Sequence, residues 1–317
     1  MPKTSTLALK SRSTEERSLR LIIPFVLFSL LISIFGVRTA QADENLLGYV
    51  KGAEPLPQGA WEIYEILTLR NDKGSGRYQA IDSDTEFEYG VTDRFSASAS
   101  FTLMNIDTSG ILIDGYLPKD EKYFARPAGA EVALKYNFLS PAKDDFGLAS
   151  YLALEYRGVD RHSGQKKDTL SWSLLFLFQK YFLEGQLIWV ANVGAESTYS
   201  HRAPLSDLPA DFDWPEVPEM ELEPKLGTGV SYRFAPSWFI GAETLYEAEY
   251  ETEVGLERWS VFAGPSLHYG SASWWGTLTY FRQLRGGGET YEEQDNKDLH
   301  LVEKTKDEVR LKVGFNF

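Results

Sequence analysis

Apolar and polar residues alternate along most of this chain. The last ten residues show it most plainly. In EVRLKVGFNF (308–317), Val309, Leu311, Val313, Phe315 and Phe317 are apolar, while Glu308, Arg310, Lys312 and Asn316 are polar. A period of two puts the two sets on opposite faces of a β-strand. The same alternation recurs at approximately 59–70, 77–91, 94–106, 129–139, 146–158, 169–181, 183–199, 220–234, 237–252, 256–269 and 272–284, with the last segment at 306–317. No segment has a long helical period, and Pro and Gly fall mostly between the runs. The pattern predicts twelve strands, each needing an apolar medium on one side and a polar one on the other.

The connections alternate too. Short turns fall at Thr92-Asp93, 140–145, near Phe182, at Ala235-Pro236 and at Gly270-Ser271, and the longest links are 107–128, 159–168, 200–219 and 285–305. Short turns at one end and long loops at the other are the arrangement of a bacterial outer-membrane barrel, and an even strand count leaves both termini at the short-turn, periplasmic end. Aromatic residues gather there: Tyr89 and Phe95, then Tyr136, Phe138 and Phe146, then Tyr181 and Phe182. Tyr232, Phe234, Trp238, Phe239, Tyr269, Trp274 and Trp275 continue the set. Amphipathic rings favour the lipid–water boundary. Strand propensity alone would raise their number without gathering them at one end. The expected fold is all-β, a single antiparallel transmembrane β-barrel of about 12 strands. Its final strand would face lipid with Val309, Leu311, Val313, Phe315 and Phe317. Alternation ending on an aromatic resembles the C-terminal signal of outer-membrane barrels, so membrane lipid and the barrel-assembly machinery are the expected partners.

The N-terminus fits export. Lys3, Lys10, Arg12, Arg17 and Arg20 precede an apolar run at 21–37, and Ala40-Gln41-Ala42 follows. Basic head, apolar core and small-x-small site make a secretory signal, with cleavage expected after about Ala42. A retained anchor is the alternative, since the run lies near the ~17-residue lower limit for spanning. The chain then divides into a signal peptide at 1–42, a periplasmic N-terminal segment at 43–58 and an outer-membrane barrel at 59–317. Overall it holds 32 Lys and Arg against 46 Asp and Glu, a formal charge of −14. Without residues 1–42, which carry six of the bases and two of the acids, the charge is −18. Such acidity argues against nucleic acid, whose phosphates need a basic surface. There is no cysteine, so neither disulfides nor thiolate chemistry.

Alternation in a closed barrel turns the polar face of every strand inward. That face carries Asp82, Asp84, Glu86 and Glu88 on the second strand, Glu131 and Lys135 on the fourth, Glu155 and Arg157 on the fifth, Glu243, Glu247 and Glu249 on the ninth, and Arg310 and Lys312 on the last. Rings of carboxylates attract cations, so an open lumen would be acidic and cation-preferring. The competing reading is that these charges pair across strands and fill the interior. Eight strands give a filled barrel and sixteen an aqueous channel, and twelve falls between. Two strands depart from the pattern: SLLFLF (173–178) and LIWV (187–190) are apolar on both faces, so Leu175, Leu177, Ile188 and Val190 should point inward. They either pack on other interior groups, such as ENLLGYV (44–50), or form an apolar patch for a hydrophobic solute.

Catalytic chemistry is sparse. The four histidines are His162, His201, His268 and His300, and no metal-ligand motif or cysteine set is present. Two His–Ser neighbours, His268 with Ser266 and His162 with Ser163, lack a third partner for a hydrolytic triad. Asp82-x-Asp84-x-Glu86 has Phe87 where a calcium loop needs Gly. Gly286-Gly287-Gly288 reads as a loop, and the acidic, Pro-rich stretch 205–224 is a candidate constriction at the mouth. No cofactor is expected.

The stretch 48–100 resembles the opening of a family of uncharacterised Gram-negative exported barrels, most specifically in GAEPLPQGAWE and TEFEYGVTDRFSAS. EYGVTDRF is also similar to a hairpin of the meta-pathway phenol-degradation and toluene-transport-like barrels. These resemblances imply the barrel fold, and the second implies passage of hydrophobic solutes; neither implies a catalytic residue. The expected function is an outer-membrane channel or passive transporter for small solutes. A largely closed barrel acting through its loops is second, and a lipid-modifying hydrolase third.

Overall fold

The computed structural model describes residues 45–251 and 255–317. The expected signal peptide, 1–42, lies outside the described residues. Twelve strands follow in chain order: β1 (Trp61–Asn71), β2 (Arg77–Thr92), β3 (Phe95–Ser109), β4 (Lys122–Leu139), β5 (Gly147–Arg157), β6 (Lys167–Phe182), β7 (Leu187–Arg202), β8 (Glu219–Ala235), β9 (Trp238–Glu251), β10 (Gly255–Gly270), β11 (Trp274–Gly288) and β12 (Asp307–Asn316). Each pairs antiparallel with its chain neighbours, and β1 pairs with β12 to close the sheet. Closure leaves no unpaired edge, which a lipid environment demands. The seam runs from Glu62 opposite Asn316 to Asn71 opposite Asp307. Reciprocal main-chain bonds between Trp61 and Phe317 (3.2 and 2.9 Å) fasten its short-turn end.

Strand ends follow the sequence pattern within a few residues, with two larger differences. β4 begins at Lys122 rather than 129. Pro127 lies within that added stretch, where the β3–β4 ladder shifts register twice and Ala125 takes a φ of 51°. Such irregularities accommodate a residue without an N–H inside a sheet. The three glycines at 286–288 extend β11 and pair with Arg258, Trp259 and Ser260 of β10.

The outer surface is a continuous apolar belt. Val132, Leu134, Leu152, Leu154, Trp172 and Leu174 are all exposed on it. A patch of this extent needs lipid against it. At the short-turn end, Trp61 meets Tyr89 at 4.5 Å between ring centroids, Tyr136 meets Phe138 at 5.1 Å, and Tyr269 meets Trp238 and Trp274 at 4.9 and 4.8 Å. Tyr181, Phe239 and Trp275 do not join this girdle. Each stands next to an outward aromatic residue, so the period of two sends it inward, where Phe239 and Trp275 are buried and Tyr181 bonds Glu54 at 2.8 Å. Midway along β1, the carboxylate of Glu65 sits on this outer face, where Ser83 and Thr85 of β2 donate their hydroxyls to it.

The interior is filled from both ends. Residues 45–58 do not trail below the barrel but run inside it, and Leu46, Leu47, Val50, Ala53 and Leu56 are buried. At the other end, links 110–121, 158–166 and 289–306 fold into the mouth. Ile111, Leu117 and Val302 join Tyr78, Met104 and Val159 in one buried cluster. The expected constriction at 205–224 is absent: residues 219 onward belong to β8, and 203–218 lie mostly exposed. That stretch is acidic and Pro-rich, and its Leu205, Leu208, Phe212 and Trp214 are only partly covered, whereas Ile111, Ile113, Tyr116 and Leu117 of 110–121 are buried.

Candidate functional site: a cavity in the lumen

The charged residues read from the sequence all lie on inward faces, yet they do not form free acidic rings. Asp82 meets Arg70 at 2.9 Å and Arg157 at 3.7 Å. Glu155 is shared by Arg157 and Arg161 at 3.4 and 3.3 Å. Lys225 faces Glu196, Glu223 and Glu247 at 2.9, 3.5 and 3.9 Å, and Glu247 also holds Lys304 at 3.0 Å. Glu249 and Glu303 flank Arg258 at 3.3 Å each. Asp84 and Glu88 accept hydroxyl bonds from Thr102 and Ser96 (2.6 Å each), and Glu131 accepts one from Tyr151 (2.8 Å). Glu86 and Lys135 line a small recess of ≈ 20 Å³ near the short-turn end. Leaving such charges alone in the interior is costly, and most of them are answered by a neighbour.

The N-terminal segment is held strand by strand around the inner wall. The Glu243 carboxylate accepts from the main-chain N–H of Gly48, Tyr49 and Val50 at 2.7, 2.8 and 2.9 Å. Ser266 and Thr279 donate to the same carboxylate at 2.8 and 3.0 Å. Asn192 bonds both main-chain groups of Lys51 (2.7 and 2.8 Å), Gln179 accepts from Ala53 N (2.8 Å), and Asn137 donates to Ala53 O (2.9 Å). Lys312 donates to the Asn45 side chain at 3.1 Å. The inward apolar residues complete the seat. Ile188 and Val190 pack on Leu46, Leu47 and Val50, while Leu177 packs on Ala53 with Leu175 beside it. A Cβ at Gly229 or Gly241 would overlap Leu47, which is why β8 and β9 carry glycine there.

The mouth is latched by polar groups. Lys73, in the β1–β2 link, donates to the carbonyls of Leu301, Val302 and Lys304 at 3.2, 2.9 and 3.1 Å. Burial pushes its ammonium down to about 7, against the pull of Glu303 and Asp160. Tyr116 lies between two guanidinium groups, those of Arg202 and Arg258, each 4.8 Å from its ring. Burial also holds His300 down at about 3, so its imidazole is neutral and accepts from Glu303 N at 3.4 Å.

Between this cap and the segment below lies a cavity of ≈ 210 Å³. Its floor is Tyr49, stacked on Phe281 at 4.1 Å and covered by the Arg310 guanidinium at 3.8 Å. Its roof is Arg161, His162 and Lys304. One wall is apolar, built by Leu245, Phe262 and Phe281 from β9 to β11, with Leu175 contributed by β6. Arg70 and Lys225 add charge at the sides. The lining holds five cations (Arg70, Arg161, Lys225, Lys304 and Arg310) and two acids, Glu247 and Glu308, a formal excess of +3.

The His–Ser neighbours do not form dyads. His268 bonds Thr277 at 2.7 Å while Ser266 serves Glu243. The Ser163 hydroxyl accepts from Gln165 N at 3.2 Å, and no His162–Ser163 bond exists among the described residues.

Residues 39–317 match a family model described as "Family of unknown function (DUF6662)". The chain belongs to that family. No curated protein matches it. Among solved structures, it is similar to the COG4313 outer membrane channel from Pseudomonas putida F1, with a TM-score of 0.55 and 12% identity over 88% of this chain and 100% of that one. A NanC porin aligns at a TM-score of 0.46 and 11% identity over 80% and 98% of the two chains. The translocator domain of autotransporter NalP from Neisseria meningitidis aligns at 0.45 and 9% over 96% of each. The first of these likenesses shows the fold, that of an outer-membrane barrel.

Leu245 is a part of the site that the sequence pattern does not single out, because it stands between Glu243 and Glu247 on an otherwise acidic face. Tyr49 falls within ENLLGYV (44–50), one of the two partners the sequence offers for the inward apolar residues, and the structure packs that segment on Ile188 and Val190.

Proposed function

We propose that this protein is an outer-membrane channel or passive transporter held in an occluded state. The observation that carries this reading is the cavity itself, which lies in the lumen between segment 45–58 and the inward links. Well-packed interiors leave few voids larger than a water. A chamber of ≈ 210 Å³ lined by both charged and aromatic groups is therefore a site rather than a packing defect. Both barriers are non-covalent and built from links and a terminal segment, which can move without breaking the sheet. Because many of the inward carboxylates are ion-paired, the acidic count of the chain is a poor guide to the lumen's preference; the cavity lining, with its excess of cations, is the better one. Catalysis has no support in the arrangement of the histidines.

The test is single-channel recording of the refolded chain in a planar bilayer under a KCl gradient. Rare discrete openings are expected from the protein carrying residues 45–58, and frequent ones when 45–56 are deleted. A folded, heat-modifiable barrel that stays silent in both forms would sink the reading.

A further inference from the structure

We propose that the lumen cavity binds a small organic monoanion, a carboxylate on a compact apolar or aromatic body. The inference rests on the transport reading and names the class of solute. Three features carry it.

The first is Arg310. Its Nε donates to Thr68 (3.0 Å) and one Nη to Gly48 O (3.2 Å), and among the described residues no carboxylate lies within ion-pair distance. Among the described residues the remaining Nη carries no bond. The other cations of the lining stand beside acids: Arg70 with Asp82, Arg161 with Glu155, and Lys225 and Lys304 with Glu247. A guanidinium left with a free edge is suited to a carboxylate, which it meets in a planar, two-point fashion.

The second is the apolar wall. Phe262 and Phe281 lie nearly parallel, 6.1 Å apart, and Phe281 continues into the Tyr49 stack. Leu245 and Leu175 extend this surface. A hydrated inorganic ion gains nothing from it, whereas a ring or short hydrocarbon gains by leaving water. A neutral hydrophobe would gain there too, but it would leave the Arg310 edge desolvated and unpaired. Glu308 and Glu247 oppose an anion. The Tyr49 hydroxyl occupies the first (2.7 Å) and Lys304 the second (3.0 Å), so neither faces the site unanswered.

The third is size. At ≈ 210 Å³ the cavity is smaller than the ~300–1,000 Å³ that holds drug-sized ligands, so the guest is of fragment size.

The test is calorimetric titration of the refolded full chain in micelles, with empty micelles as blank, using benzoate, benzyl alcohol and benzylammonium. Benzoate is expected to bind at least tenfold more tightly than either analogue. Arg310→Gln should weaken benzoate roughly ten- to a hundredfold, the weight of one charge-assisted contact. Because Arg310 also holds Gly48, a second variant guards against an indirect effect: Leu245→Trp fills the cavity from the opposite wall and should abolish binding. Equal affinity for benzyl alcohol, no heat from any probe, or benzoate binding unchanged in Leu245→Trp overturns the proposal. Channel steps without benzoate binding would discard this inference alone. Benzoate binding with a silent bilayer, even after deletion of 45–56, would discard the channel reading and leave the site.

Discussion

Glu243 is the point at which the N-terminal segment is most strongly held. Its Oε1 accepts from Gly48 N, Ser266 and Thr279, and its Oε2 from Tyr49 N and Val50 N. Glu243→Gln keeps the shape but turns one of these oxygens into a donor. With the amide nitrogen at the Oε2 place, two main-chain bonds to a charged acceptor are lost. With the amide flipped, only the Gly48 bond is lost, because the Ser266 and Thr279 hydroxyls can rotate to accept. The flipped form is cheaper, so one charge-assisted bond, about 1.5–3 kcal/mol, is the expected loss. That moves the docked-to-released ratio of the segment roughly 10- to 150-fold. Docking would weaken without being abolished, since Leu46, Leu47 and Val50 remain buried and each such burial contributes about 1.5–3 kcal/mol. Single-channel recording reads the effect directly as open probability. Glu243→Gln should open at least tenfold more often than the wild type at unchanged unit conductance. A variant that folds, shows normal heat modifiability and opens no more often than the wild type would refute the view that segment 45–58 is the barrier.

Lys73→Met should release the 289–306 link, because three carbonyl partners lose one ammonium; limited proteolysis of reconstituted protein should cut there first, and protection equal to the wild type would disprove the latch. Acid should loosen the same link. The buried His300 titrates at about 3 when folded against about 6.5 when free, so the open state binds more protons between those values, and the link's stability is full above 6.5 and falls as pH drops toward 3. Hydrogen exchange of 299–305 measured from pH 7 to pH 4 should rise, after correction for intrinsic rates; a flat profile would refute it. Glu65→Leu removes a carboxylate from the lipid-facing side of β1 and should stabilise the barrel by about 1 kcal/mol in a denaturation series. Marked destabilisation would instead show that this face meets something other than lipid.

The sequence by itself determined the barrel. The side-chain period of two, the twelve alternating segments and the order of short and long connections each constrain the backbone locally, and a closed sheet is the solution that satisfies them all in lipid. It also determined which side chains face inward, down to Leu175, Leu177, Ile188 and Val190, because facing follows from parity once a strand is placed. Parity fails where the chain leaves the ladder. Segment 45–58 has no strand partner, and its place inside the lumen depends on Glu243, Asn192, Gln179 and Asn137, residues 84–195 positions away in the chain. The pairing of charges is likewise a matter of distance across strands. Asp82 and Arg157 are far apart in sequence, and only the curvature of the closed wall brings them within 3.7 Å. So the sequence showed an acidic interior, and the tertiary structure showed one in which many of the charges meet partners, with a cation-rich, half-apolar chamber at its centre. Composition counts charges, whereas the field inside a barrel depends on which of them meet.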